Sequence, residues 1–339
     1  MKVTCQSYQL KLRDPFTIAR GTVSVQPTLI VSVEHDDLVG YGEATTNSYY
    51  GITLETMEAA LEKVRPTLQD YKLENPAELW AELDSQLSDC RFAQCALDCA
   101  VWDLYAKMHQ LPLWKLWGFE HDAPCPPSCF TIGLDEVDVM VRKMKEASPW
   151  PVFKIKLDQT GGIDLVRELR RHTSSRFRVD ANCSWQPGDV ARFCDELGTL
   201  DVELVEQPLA AEQYDEMRSL KGKCALPLMA DESCQVEADI DRCIESFDAV
   251  NVKLVKCGGL TPARRMITRA KQNGLQVMVG CMTESSIGIA AGVHLMPLLD
   301  FADLDGALLL SNDIAEGLEW TEGSCPLPAE LGLGVKLRA

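Results

Sequence analysis

The chain has no apolar run approaching the ~20 residues that a membrane-spanning helix needs. Its amino terminus, MKVTCQSYQLKLRDPF, alternates polar and apolar residues and lacks the uninterrupted apolar stretch of a secretory signal. A soluble, cytoplasmic protein is expected. Basic residues are in deficit: 33 Lys and Arg stand against 51 Asp and Glu, a net charge of -18. Such an excess of acid repels phosphate backbones and anionic lipid, which argues against nucleic acid and membrane surfaces as partners. There are 14 cysteines but no C-x-x-C pair. Cys90, Cys95 and Cys99 fall in one helical stretch, and thiols without metal-ligand spacing read as small buried apolar residues. Histidine is scarce as well, five in all, and His294 lies in an apolar helical stretch.

What is present is ordinary globular composition, 46% hydrophobic and 25% charged, which excludes disorder and fibrous repeats. The 339 residues leave room for a barrel of ~250 residues and a smaller domain. Residues 2–43 read as an antiparallel meander, VTCQSYQLKL, TLIVSVEH and LVGYGEA, with a loop PFTIARGTVSVQP carrying Arg20 between the first two strands. Helical patterns follow at roughly 53–70, 76–87 and 91–109. The turn-rich HDAPCPP marks a boundary, because clustered prolines fit neither a helix nor a central strand. This predicts an α+β capping domain over 1–122, completed by the tail 318–339, and a barrel over 123–317.

Beyond that boundary, SCFTIG opens an alternation of short strands and helices. Seven further apolar runs, VFKIK, FRVD, VELVE, PLMAD, VNVK, QVMVGCMTE and FADLD, close on Lys156, Asp180, Glu206, Asp231, Lys253, Glu284 and Asp305. Eight strands with right-handed crossovers can close into a parallel barrel, and such a barrel gathers all its strand ends around one mouth. Three consecutive acids between two lysines suggest a divalent metal with a potential base on either side, since hard cations take carboxylate oxygens.

These residues resemble the enolase superfamily, and within it the muconate-lactonizing subgroup that includes dipeptide epimerases. The resemblance is carried by ALDCAVWDLYAK, K-I-K at 154–156, D-A-N at 180–182, E-Q-P at 206–208, A-D-E-S at 230–233 and N-V-K-L-V-K-C-G-G at 251–259. It implies a (β/α)7β barrel, a modified TIM barrel, under an α+β cap, with one Mg²⁺ per subunit and Mn²⁺ as an alternative ion. It implies Asp180, Glu206 and Asp231 as metal ligands, Lys156 and Lys253 as acid/base residues, and Lys154 as an auxiliary cation near the substrate carboxylate. Asn182 and Glu232 match positions that support the ligands, and Glu284 is placed with them. F-A-D-L-D-G resembles the D-x-D with which dipeptide epimerases hold the substrate's α-ammonium, giving Asp303 and Asp305 that role. F-T-I-A-R-G resembles the loop whose arginine, here Arg20, pairs with a C-terminal glutamate side chain.

Epimerisation beside a carboxylate requires removal of a weakly acidic proton, and a metal clamp on the carboxylate stabilises the charge that develops. Inversion needs one group on each face, and free lysine, with a pKa of ~10.4, must be neutral on one side and charged on the other. The expected activity is therefore a Mg-dependent inversion of the C-terminal α-carbon of a dipeptide, L-Ala-D/L-Glu or related, by two-base proton transfer through a metal-stabilised enediolate. A cycloisomerase or o-succinylbenzoate synthase of the same subgroup is the enzymatic alternative, and a catalytically silent, metal-stabilised binding protein the third. A homo-oligomer is expected. No histidine closes the sixth or seventh strand, which disfavours chemistry like that of mandelate racemase.

Overall fold

In the computed structural model, which describes residues 1–338, β1 (Lys2–Ile18), β2 (Gly21–His35) and β3 (Leu38–Thr45) form an antiparallel sheet in sequence order. The segment read from sequence as a loop continues the first hairpin instead. Pairing lapses after Lys11↔Val25 and resumes at Phe16↔Val23, leaving only Ala19 and Arg20 to turn at the tip. Residues 12–15 thus stand against Ser24 alone as a bulge, where Pro15 has no N–H to give the ladder. The bulge leans on the chain that follows the barrel: Leu12 bridges Leu310, and Arg13 Nε donates to the Leu310 carbonyl at 2.9 Å.

Three helices follow, α1 (Leu54–Asp70), α2 (Pro76–Leu87) and α3 (Arg91–Met108); α1 and α3 pack on the sheet, and α2 packs on those two helices. Thr53 and Asn75 cap the first two, with Pro76 in the first turn where its missing N–H costs nothing. α3 is buried on nearly every side because it lies between the sheet and the barrel. Gly40 and Gly42 let it approach, since a Cβ at either would run into the backbone carbonyls of Ala100 or Ala96. The two aspartates of ALDCAVWDLYAK are the fasteners. Asp103 accepts from Tyr41 N at 2.8 Å, Leu333 N at 2.7 Å and Lys107 Nζ at 2.7 Å. Asp98 accepts from Thr261 N at 2.8 Å and Oγ1 at 2.7 Å, reaching into the barrel.

After the short α4 (Leu113–Leu116), strand and helix alternate: β4 (Phe130–Ile132), α5 (Val137–Ala147), β5 (Val152–Lys156), α6 (Ile163–Arg170), β6 (Arg176–Asp180) and α7 (Pro187–Gly198). Next come β7 (Val202–Glu206), α8 (Tyr214–Leu220), β8 (Leu228–Ala230), α9 (Ile240–Ser246), β9 (Ala249–Lys253), α10 (Leu254–Cys257) and α11 (Leu260–Gln272). β10 (Gln276–Gly280), α12 (Ser286–Val293) and β11 (Phe301–Asp303) complete an eight-stranded parallel sheet in unbroken order. The sheet is a nearly closed barrel. Its edges meet just ahead of β4, where Ser128 bridges Ala302 and Cys129 N donates to the Ala302 carbonyl at 3.1 Å. Covered on both faces, the strands are mostly apolar; besides the residues discussed below, Arg178 is buried within β6, where its Nε donates to Glu203 Oε2 of β7 at 2.7 Å.

β11 is followed by a tight turn, and Ala315–Glu316 (β12) pairs with Lys336–Leu337 (β13). The tail touches the cap where Leu113 N donates to Gly332 O at 2.9 Å and Trp114 Nε1 to Pro328 O at 2.7 Å. His294, at the end of α12, is buried between Trp114 N at 3.1 Å and the Leu333 carbonyl at 3.2 Å. It joins barrel, cap and tail. No helix among the described residues is long and apolar enough to cross a membrane.

Candidate active site

Parallel strands that end together place their last side chains in one ring. Lys156, Asp180, Glu206 and Lys253 are the final residues of β5, β6, β7 and β9, and Asp231 directly follows β8. All five are buried. β5 and β9 stand four places apart in a ring of eight, so Lys156 and Lys253 approach the mouth from opposite walls. Lys156 Nζ lies 2.6 Å from Asp180 Oδ2, and Lys253 Nζ lies 2.7 Å from Asp231 Oδ2. Each lysine thus holds a different acid.

The carboxylates of Asp180, Glu206 and Asp231 offer oxygens that all lie within 4.8 Å of one another. Burial pushes Asp180 upward, but the Lys156 and Lys154 ammoniums outweigh it and hold the carboxyl at about 2. Burial likewise raises Asp231, and Lys253 with Lys256 pulls it well below the usual carboxylate range. Glu206 goes the other way, up to about 7, because burial and the two neighbouring acids exceed the help from Lys154. Among the described residues, Glu206 Oε2 and Asn182 Oδ1 find no aligned hydrogen-bond donor, although Glu206 Oε2 lies 2.7 Å from Lys154 Nζ. A buried carboxylate oxygen left in that state, beside two more carboxylates, is the donor set of a hard divalent cation.

Lys154 points inward from the middle of β5 and sits among Glu206 Oε2 at 2.7 Å, Asp303 Oδ2 at 2.8 Å and Asp180 Oδ2 at 3.3 Å. Burial opposes its charge, but these three acids raise its pKa well above the ordinary lysine value. Lys253 is raised for the same reason, with Asp231 overcoming burial. Lys256 received no role from sequence, yet its fully buried ammonium reaches Asp231 Oδ1 at 2.6 Å, the Asp231 carbonyl at 2.5 Å and the Asn251 carbonyl at 3.2 Å. Asn251 in turn donates to Glu206 Oε1 at 2.9 Å. The only visible signal was a second lysine and an asparagine in an otherwise apolar N-V-K-L-V-K run.

A cavity of about 540 Å³ opens above this ring, lined among others by Arg20, Tyr49, Lys154, Lys156, Lys253, Asp303 and Asp305. Asp180 and Glu206 do not reach its wall. Arg20, about a third exposed at 32%, pairs with Glu232 Oε1 at 2.7 Å, and it donates to the Asn182 carbonyl at 3.1 Å. Its guanidinium lies 4.4 Å from the centre of the Tyr49 ring. Asn182 and Gln207, just past Asp180 and Glu206, hold φ values of 45° and 36°, left-handed backbone that costs energy in a non-glycine residue. Thr131, missed in the sequence, donates through its N–H to Asp305 Oδ2 at 2.6 Å. Asp305 lies past the end of β11 in the tight turn rather than on the strand. Burial and Asp303 push it up to about 7. Asp303 is lowered, because Lys154 outweighs burial.

Glu284 does not close its strand. β10 ends at Gly280, and Glu284 lies four residues further on, off the cavity wall and beside Glu43 of the cap, with Lys253 of the ring near enough to favour its charged form. Burial and Glu43 push its carboxyl up to about 8. Glu43 accepts from Ser285 N at 3.0 Å and Gly288 N at 3.0 Å, which fixes the start of α12 to the sheet. The run QVMVGCMTE outlasts its strand because the hydrophobic pattern continues into the turn that meets the cap.

A parallel barrel with an acid-and-lysine ring at its mouth, roofed by an α+β domain, defines a class of capped-barrel proteins whose site lies at the strand ends. Residues 1–118 match the mandelate racemase / muconate lactonizing enzyme N-terminal domain and residues 136–339 the enolase C-terminal domain-like family. The chain belongs to the enolase superfamily. It is 45% identical over 337 residues to an L-Ala-D/L-amino acid epimerase of Flavobacterium johnsoniae, covering 99% of this chain and 100% of that one. The dipeptide epimerase of Methylococcus capsulatus, solved with Mg and L-Arg-D-Lys, superposes with a TM-score of 0.93 at 32% identity over 98% of both chains. A substrate-liganded L-Ala-D/L-Glu epimerase of Bacillus subtilis gives a TM-score of 0.93 at 25% identity, covering 99% of this chain and 98% of that one.

Proposed function

We propose that the chain is a dipeptide epimerase that inverts the α-carbon of the C-terminal residue, one of Lys156 and Lys253 taking the α-proton from one face while the other gives its own proton to the opposite face. The observation that carries this reading is the opposed placement of those two lysines on β5 and β9. The similarity to proteins named as dipeptide epimerases points the same way. Asp180, Glu206 and Asp231 would hold a magnesium ion, which supplies fixed positive charge for the carboxylate oxygens as the α-proton leaves.

The remaining work falls to the chain's own residues. Lys154 adds a second, permanent positive charge beside the substrate carboxylate. Lys156 takes the α-proton from one face while Lys253, charged, returns one to the other, and the roles exchange with the hand of the substrate. The contacts to Asp180 and Asp231 hold each lysine nitrogen at the ring, whichever of the two is the neutral amine. Asp303 and Asp305 form the acidic end of the cavity and hold the α-ammonium of the N-terminal residue. A dicarboxylate without an ammonium would be repelled there, which favours an epimerase over a cycloisomerase or synthase of the same subgroup. Arg20, which lines the same cavity and shares its charge with Glu232, would pair with the C-terminal side chain.

Incubating a dipeptide library with the protein and Mg²⁺ in D₂O tests this reading by mass spectrometry. Deuterium should enter the C-terminal α-position with formation of the opposite epimer, and chelation should stop it. Lys253→Ala should abolish epimer formation, by at least about 10³-fold, from removal of a positioned acid/base group. Any α-proton exchange left in that variant should be confined to one enantiomer, the one whose proton faces Lys156. Turnover persisting in both directions in Lys253→Ala would refute the two-lysine scheme.

A further inference from the structure

A second cavity, of about 310 Å³, lies beside the first and shares three wall residues with it: Phe16, Thr131 and Leu309. Its wall includes the apolar side chains of Leu12, Phe130, Ala147, Trp150 and Leu308. Arg13, Asp14, Lys143 and Glu146 supply charged groups to the same wall. The shared residues have separate origins. Phe16 is where pairing resumes after the β1 bulge, Thr131 is the centre of β4, and Leu309 follows the acidic turn after β11.

Thr131 fixes the geometry between the two spaces. Its N–H donates to Asp305 Oδ2 at 2.6 Å and its hydroxyl reaches Asp305 Oδ1 at 3.3 Å. An ammonium held by Asp303 and Asp305 therefore lies close to Thr131, and the α-carbon it is bonded to lies one bond further on. The side chain of that residue starts beside the wall that Phe16 and Leu309 share with the second cavity. Both are half-buried apolar side chains.

Resting on the dipeptide reading above, we propose that Phe16 and Leu309 form a partition that confines the substrate's N-terminal side chain to a small volume. They are specificity-determining residues, and the apolar space behind them is a latent extension of the N-terminal subsite. The class of substrate is then a dipeptide with a small N-terminal residue, alanine or glycine. Truncating the partition admits large apolar side chains, because Leu12, Phe130, Ala147, Trp150 and Leu308 offer them apolar surface in the space behind it.

The experiment compares dipeptides that share one C-terminal residue and carry alanine, leucine or phenylalanine at the N-terminus. Each is tested on the full-length protein with Mg²⁺, and on Leu309→Ala and Phe16→Ala. The wild type should favour alanine over leucine by at least about 10-fold in kcat/KM, the scale on which a pocket rejects excess methylenes. Leu309→Ala should raise the leucine-to-alanine ratio by about 10-fold or more, and Phe16→Ala should do the same for phenylalanine. Equal use of all three by the wild type overturns the proposal, as does a ratio that stays within about twofold in both variants. Calorimetric binding of the same dipeptides runs in parallel. A size-graded affinity without α-proton exchange would sink the epimerase reading and leave the partition standing. Exchange with no change in size preference would do the reverse.

Discussion

Lys256 shows what a single buried charge does at this site. Its ammonium is fully enclosed and contacts Asp231 twice, at the carboxylate and at the carbonyl. Lys253 and Lys256 lie three residues apart, and the single turn of α10 brings both to the same acid. Removing one member of a buried ion pair strands the other, at a cost of about 3–5 kcal/mol. Asp231 keeps Lys253 as partner, so Lys256→Met should cost about 3 kcal/mol, the lower end of that range. Urea unfolding measures it, and a loss below about 0.5 kcal/mol would mean that the apolar replacement compensates the pair. The strand-end acids were legible in sequence because each terminates an apolar run. Lys256 was not, since nothing local says that a lysine after a strand turns inward.

At the scale of elements, the helices of the cap were readable almost to the residue. The pattern at 53–70 became α1 at Leu54–Asp70, with Thr53 as its cap. Period and capping are local properties, so the sequence carries them. The bulge at 12–15 was not readable, because a bulge exists only relative to the partner strand it fails to match. Close packing of β3 on α3 has the same character. Gly42 in the run LVGYGEA looks like a weak strand residue, but it is the point at which a helix backbone presses on the sheet. Gly42→Ala should therefore destabilise by about 1–3 kcal/mol or more through overpacking, read as a lower urea midpoint at unchanged slope. An unshifted midpoint would show that α3 can move away freely. Gly51, which faces open space, has no such packing restraint.

Across the whole molecule, His294 ties three parts together, and its burial drives its pKa down to about 4 from the ordinary 6.5. The sign follows from which state takes up protons. Between pH 6.5 and 4 the unfolded chain protonates this imidazole while the folded chain keeps it neutral, so unfolding is favoured as pH falls. The contribution is fully present above pH 6.5 and is lost towards pH 4, about 3–4 kcal/mol in all at about 1.4 kcal/mol per pH unit. Other buried acids titrate in the same window, Asp98 among them at about 7, so the difference between two proteins is the proper measure. The unfolding free energy of His294→Gln should fall less steeply with acidification than that of the wild type. Parallel slopes would assign the acid sensitivity elsewhere.

By itself the sequence determined the alternation of strand and helix, the helix limits in the cap and the order of lysines and acids at the strand ends, because each is written in residues close together along the chain. Tertiary structure alone decided that β5 and β9 face each other, that Lys256 and Asn251 brace the acids, that Glu284 turns to Glu43, and that the hairpin bulge reaches the barrel. Those outcomes depend on which distant surfaces meet and which buried charges must find partners when water is excluded. No local pattern records them.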